Sequence, residues 1–217
     1  RNLWKNKGYS AINIFGLAAG LATCLLIVLY VWDELSYDKF HEKADRIYRV
    51  DSDIKFGGMD MKLAVSSDPM GATLKRDYPQ VEQFTRIYAS EGSKLIKKGN
   101  EFINEQRIAY VDSTFFDVFS FPLISGNPKT VLNDPNTAVI SETGAKKYFG
   151  NTDVLGKLIE TNEKTSYKIT AVMKDMPSNS HFIFDILLSM DNVNYKFGNY
   201  LSHNFTTYIL LQKGTDP

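Results

Sequence analysis

Cysteine occurs once in this 217-residue chain, which leaves no partner for an internal disulfide and no thiol pair for redox or zinc-ribbon chemistry. Charge of one sign is not in excess either. Lys and Arg number 25 and Asp and Glu number 25, so the basic field that draws nucleic acid is missing and no nucleic-acid partner is expected. With 7 prolines and 43% apolar residues, the chain has too much to bury to remain disordered. Catalytic signatures are missing too: GxxxxGKS, GxxxxGKT, GxGxxG, GxSxG and HExxH do not occur. Nucleotide hydrolysis, dinucleotide binding, esterase and zinc-protease chemistry therefore have no support.

Isolated polar residues do not change this. His41, His181 and His203 are far apart and lack ligand spacing, so they are read as structural histidines. In Asp51-Ser52-Asp53 a strand would turn both carboxylates to one face without the further oxygens and the glycine of a calcium loop. Asp175, His181 and Asp185 lie close enough to Ser178 and Ser180 to suggest a relay, but Pro177-Ser178-Asn179 has the composition of an ordinary turn. Asn204-Phe205-Thr206 matches a glycosylation sequon, a pattern too short to carry weight. The expectation is a protein with no catalytic residue, no cofactor and no metal.

What the chain does have is one long apolar run. No charged residue occurs from Gly8 to Trp32, enough for a helix to cross a bilayer. The ten Leu, Ile, Val and Phe residues between Ile14 and Val31 favour insertion by about 3 to 6 kcal/mol in sum. The span is placed at 11–32, after a cytoplasmic lead-in at 1–10. Arg1, Lys5 and Lys7 precede it and Asp33, Glu34 and Asp38 follow, which puts the N-terminus inside and residues 33–217 outside the cytoplasm. Tyr30-Val31-Trp32-Asp33 lacks the small-x-small pattern of a signal-peptidase site. Gly16 and Gly20 form a GxxxG, extended by Ala19 and Thr23, the kind of groove in which a second helix packs closely. The chain starts without Met and stops just after an apolar strand-like run, so it is expected to be a fragment.

Beyond Trp32 the residues Leu35, Tyr37, Phe40, Ala44 and Ile47 recur at spacings near three and four, which predicts that the helix continues outward from Asp33 as a stalk. Strands are then expected over 47–54, 61–65, 81–89, 94–97, 101–107, 108–111, 137–140, 158–161, 167–172, 184–190 and 208–211. Turns are expected at Phe56-Gly57-Gly58-Met59 and Lys98-Gly99-Asn100. Ser67-Asp68-Pro69 has the form of a helix start, that helix ending before Pro79. Ser141 has the form of an N-cap for a helix that Gly150 stops. Phe115, Phe116, Phe119 and Phe121 are assigned to the core. Strands and short helices without regular alternation predict an α+β domain.

Several segments taken in order resemble the MacB-like periplasmic core domain of ABC transporter permeases, in particular the Bacteroidetes-type permeases that also carry an FtsX-like membrane domain. They are Arg1-Asn2-Leu3-Trp4-Lys5-Asn6-Lys7, Ser36-Tyr37-Asp38-Lys39-Phe40-His41 and Asp45-Arg46-Ile47-Tyr48-Arg49-Val50. The block Phe115 to Phe121 with Gly126, then Ala138-Val139-Ile140-Ser141-Glu142 through Phe149-Gly150, and Gly156-Lys157 follow. Ile169-Thr170-Ala171-Val172 and Asp175-Met176-Pro177-Ser178-Asn179-Ser180-His181 complete the set. Val154-Leu155 stands where the family often has Pro-Ile. The resemblance implies an inner-membrane permease subunit whose periplasmic domain has a porter-like part and a β-rich part, the latter a possible insertion at 111–170. It also implies an ABC ATPase subunit on the cytoplasmic side, and a second permease half or a homodimer in the lipid bilayer. On this reading the domain couples ATPase action to export or mechanical work. The alternative is a single-pass anchored sensor or ligand-binding domain, which would share the anchor and the exported fold.

Overall fold

The computed structural model describes residues 7–89 and 92–215. The first part of the expected lead-in, residues 1–6, lies outside the described residues. Two compact units are distinguished, Arg1–Lys39 with Asn179–His181, and Phe40–Ser178 with Phe182–Pro217.

The first unit is built on α1, Lys7–Ser36, 30 residues long, which amounts to about 45 Å of helix. None of its residues is buried.

The second unit is a mixed α+β domain. Its strands run β1 Ile47–Val50, β2 Ser52–Phe56, β3 Met59–Leu63, β4 Ser66–Ser67, β5 Val81–Tyr88, β6 Lys94–Lys98 and β7 Glu101–Glu105. They continue as β8 Ile108–Val111, β9 Leu123–Ser125, β10 Thr137–Ser141, β11 Leu158–Glu160, β12 Ser166–Met173, β13 Ile186–Ser189 and β14 His203–Leu211. Helices α2 Met70–Asp77, α3 Phe115–Val118 and α4 Glu142–Phe149 are interspersed. Among the described residues ten strands form one sheet, with the path β1-β14-β5-β8-β13-β10-β12-β11, while β4 pairs with β14 and β9 with β12. Only β8/β13 and β10/β12 are parallel pairs in this sheet. Residues 111–170, the expected insertion, supply β9, β10, β11 and part of β12 to this same sheet. Two hairpins form separate two-stranded sheets, β2/β3 and β6/β7, the second bridged through Ile96 to Thr161 beside β11.

The centre of the sheet is covered on both sides. Successive strand residues point to opposite faces, and β8 divides accordingly: Ile108 and Tyr110 join one core, Ala109 and Val111 the other. Ala138, Ile140, Ile186 and Leu188 lie with the first, Val139 and Leu187 with the second. Burial on both faces makes these strands continuous apolar runs in sequence rather than alternating ones. The first core is closed by Ala145 and Tyr148 of α4 and by Ile96 of the β6/β7 hairpin. The second is closed by an aromatic cluster of Phe115, Phe119 and Phe121 with Phe182.

Local signals in the sequence match the local structure. The β2/β3 register pairs Phe56 with Met59 across Gly57 and Gly58, whose φ values of 59° and 81° suit a primed hairpin turn. The Ser141 hydroxyl accepts from the Gly144 N–H at 2.9 Å, and Gly150 ends α4 in the left-handed region. Gly126 is required by space as well as by its φ of 102°: a Cβ there would lie 2.5 Å from Ala171 Cβ and 2.7 Å from the Thr170 oxygen. The helix expected after Ser67-Asp68-Pro69 and before Pro79 forms as α2, Met70–Asp77, with Pro69 as its cap residue. The Asp68 carboxylate instead accepts from the Gly198 and Asn199 N–H groups, at 2.6 and 3.2 Å. A free-standing carboxylate near a helix start is claimed by whichever N–H groups the fold brings to it, and here these belong to a distant loop.

Candidate functional site: the membrane helix and its foot

An apolar helix with no buried residue is costly in water and at home in a bilayer. By length and composition α1 can cross a membrane. The Thr23 hydroxyl near its middle is satisfied within the helix, Oγ1 donating to the Ala19 oxygen at 2.9 Å, as a polar group in hydrocarbon requires. The expected span 11–32 lies wholly inside α1. The space beside Gly16 and Gly20 is open, with nothing within 4 Å of a Cβ placed at either.

The stalk predicted to run helically to Ile47 is not formed. Asp33 and Leu35 belong to α1, but the helix stops at Ser36. Tyr37 and Phe40 lie in the turn that follows, and Ile47 opens β1. Part of the cause is local: the Ser36 hydroxyl donates to the Asp33 oxygen at 2.7 Å, and Asp38 adopts a left-handed φ of 57°. Short polar side chains that bond to nearby backbone compete with helix continuation, and Asp is among the few residues that tolerate this φ. The three-and-four spacing of Phe40, Ala44 and Ile47 arises instead from a turn, a 3₁₀ segment at Ala44–Arg46 and a strand.

At this foot the turn Asn179–His181 meets the helix end. The Asn179 side-chain amide donates to the Ser36 carbonyl at 3.0 Å and to its hydroxyl at 3.2 Å. In return, the Asp38 N–H donates to the Asn179 carbonyl at 3.0 Å. The Asp38 carboxylate accepts from the His181 N–H at 3.2 Å and contacts His181 Nδ1 at 2.6 Å. Both side chains of that pair are about one-third exposed, at 32% each, and Ser180, which precedes His181, is buried. The last carbonyl of α1 thus accepts both from its own next turn, the Lys39 N–H at 3.4 Å, and from a donor far along the chain.

The family model for the MacB-like periplasmic core domain matches residues 10–217. The chain belongs to this family. It is therefore a component of an ABC-type permease, with a periplasmic domain carried on an inner-membrane helix. Among solved structures it is similar to a domain assigned to a permease protein from Porphyromonas gingivalis, with 26% identity and a TM-score of 0.68 over 83% of this chain and 78% of that one. The periplasmic region of MacB from Actinobacillus actinomycetemcomitans shares its fold at 15% identity and a TM-score of 0.52, covering 70% of this chain and 68% of that one. So does the extracellular domain of the noncanonic ABC-type transporter YknZ from Gram-positive bacteria, at 16% identity and a TM-score of 0.54, covering 78% and 83%. No curated protein matches the sequence.

Within this MacB-like domain the relay is not assembled: Asp175 and Asp185 both engage Ser141, while His181 is bonded to Asp38. Asp175 accepts from the Thr143 N–H at 2.9 Å and the Thr143 hydroxyl at 2.6 Å, near the start of α4. Burial opposes the charge of Asp175, but these bonds outweigh it and hold its carboxyl below the usual aspartate value. Asp185 accepts from the Ser141 hydroxyl at 2.8 Å, and His181 serves the foot. His41 accepts from the Ser120 N–H at 3.1 Å and lies among Phe40, Phe119 and Phe121. His203 Nδ1 meets the Ser52 hydroxyl at 3.0 Å. Asp51 is taken by Arg49 at 2.7 Å, while Asp53 sits opposite Lys62 in the hairpin. Among the described residues no three His, Cys, Asp or Glu gather into a metal-binding group.

The sequence offered the two halves of the foot separately, in Ser36-Tyr37-Asp38 and in Asn179-Ser180-His181. It carried no signal that they meet across 143 residues.

One charged residue that sequence reasoning passed over is held inside the domain. Glu105 is 3% exposed and accepts from Lys147 Nζ at 2.6 Å, the Tyr148 hydroxyl at 2.8 Å and the Arg107 N–H at 3.2 Å. Burial alone would raise its pKa, and the bonds from Lys147, Tyr148 and Arg107 overcome it and bring the value below the ordinary 4.5. Folding therefore favours the ionised form. The stabilisation is complete above 4.5 and is lost as the pH falls through the lower folded-state value. The stability advantage of wild type over Glu105→Gln should shrink steadily in urea titrations taken from pH 7 to about 3. An advantage unchanged by acid would refute the assignment.

Proposed function

We propose that this chain is the part of an ABC permease subunit that carries movement from the cytoplasmic side of the inner membrane to the periplasm, with no chemistry of its own. Residues 1–10 lie in the cytoplasm, 11–32 in the bilayer and 33–217 outside. An ABC ATPase subunit acts on the cytoplasmic side, and a second permease half or a second copy completes the membrane part. Gly16, Gly20 and Thr23 offer the face on which another membrane helix packs. The observation that carries this reading is a continuous 30-residue helix whose outer end is fastened by hydrogen bonds. A helix is stiff along its length, so a shift imposed at one end arrives at the other.

Inserting a flexible glycine linker after Leu35, inside the helix, should leave ATP hydrolysis by the assembled transporter intact and abolish its coupling to export. Export at the wild-type rate with the linker present would overturn the reading.

A further inference from the structure

The foot has a consequence for where movement goes. Through the peptide bond at Lys39 alone, α1 leads to β1, an edge strand paired only with β14 in the sheet. The turn Asn179–His181 lies elsewhere, in the connection between β12, which ends at Met173, and β13, which begins at Ile186. β13 is held on both sides, by β8 and β10, and its four residues are all buried. We propose that the clasp of Ser36 and Asp38 with Asn179 and His181 is the joint that delivers movement of α1 to the central strand β13 as well as to the edge strand. This rests on the mechanical reading above.

Three features suit the clasp to that task. Its bonds run both ways between the two segments, so neither can slide without breaking several together. The contact between Asp38 and His181 is short, at 2.6 Å, as in charge-assisted bonds. Each segment is also within two residues of the aromatic cluster of the second unit. Phe40 follows Lys39 and lies 5.7 Å from the Phe121 ring, and Phe182 follows His181 and lies 5.8 Å from the same ring. Either segment is therefore joined by the chain itself to a residue of a packed core, which resists deformation.

The test uses the full-length permease with its ATPase in lipid nanodiscs, comparing amide hydrogen exchange with ADP and with ATP plus vanadate. In wild type, nucleotide should change exchange both in β1 and in residues 182–189. Asp38→Ala and Asn179→Ala should reduce the response at 182–189 by roughly fivefold or more while β1 keeps its own. Asp38→Asn retains an oxygen for the His181 N–H and should keep much of the response. The exchanged pair Asp38→His with His181→Asp should restore it, because His also tolerates the left-handed φ at position 38. Matching exchange of variant and wild type in ADP shows that the fold is intact. An unchanged response at 182–189 in all single variants would overturn the clasp as the joint and leave the mechanical reading standing. A wild type with no nucleotide response in either segment would overturn both.

Discussion

Phe115→Ala is expected to cost about 3 to 5 kcal/mol of folding stability, the range for emptying a fully buried aromatic site. Phe115 has no solvent exposure. Its ring lies 5.1 Å from Phe119, 5.2 Å from Phe116 and 5.8 Å from Phe121, to which it is nearly parallel. The site cannot collapse readily, because the neighbours are rigid rings held by Phe182, Tyr208 and one another. For a domain of this size the loss corresponds to a fall in Tm of roughly 6 to 20 °C. Far-UV circular dichroism of the detergent-solubilised chain, followed in urea and on heating, measures it. A loss under about 1 kcal/mol would show that the cluster is loosely packed and repacks around the gap. Phe116, by contrast, is only partly buried, and its truncation should cost less.

Asp112→Ala should be comparably severe for a different reason. The Asp112 carboxylate accepts from the Arg86 N–H at 2.7 Å and from Nε and Nη2 of the same residue at 2.9 and 2.7 Å. The two side chains are only 13% and 17% exposed. Burial works against the guanidinium charge, and the Asp112 bonds outweigh it, so the arginine is held above its ordinary pKa. Removing the acid alone takes away the bonded partner of that buried charge and leaves only the weaker pull of Asp68 and Asp191, a change that typically costs about 3 to 5 kcal/mol. Arg86 also donates to the Asp68 oxygen at 3.1 Å and lies 5.4 and 5.5 Å from the rings of Phe197 and Phe205. The loop around Gly198 should therefore loosen with it, seen as faster amide exchange at 197–199. The double replacement Arg86→Met with Asp112→Leu should recover most of the loss. A residual of about 1 to 3 kcal/mol is expected, because the Arg86 N–H stays without its acceptor. A double variant as unstable as the single one would show that shape, rather than the unpaired charge, sets the cost.

These two sites differ in how far they can be read from the sequence. Four phenylalanines within Phe115 to Phe121 have one plausible place, a core, because so much aromatic area is not left in water. The sequence does not say that Phe182 and Tyr208 complete the cluster. In sequence Arg86 looks like an ordinary charge within a strand and Asp112 like one just past a strand end. Only the pairing of β5 with β8 brings them together and makes their separation costly.

The sequence by itself determined whatever depends on neighbours a few residues apart. Uninterrupted hydrophobicity defined the membrane helix, Gly57-Gly58 and Gly99-Asn100 set their hairpins, and Ser141 and Gly150 bounded α4. Each is a local backbone or solvation preference that needs no distant partner. The strand order, the two parallel pairs and the burial of both sheet faces came only with the tertiary structure, because a strand's apolar pattern does not name the strand beside it. The same holds for the end of α1. Apolar spacing alone extended the helix to Ile47, whereas a serine, a left-handed aspartate and an asparagine amide from 143 residues away ended it at Ser36. A helix end is settled by where its last carbonyls find donors, and here a local donor from Lys39 is joined by one that only the fold supplies.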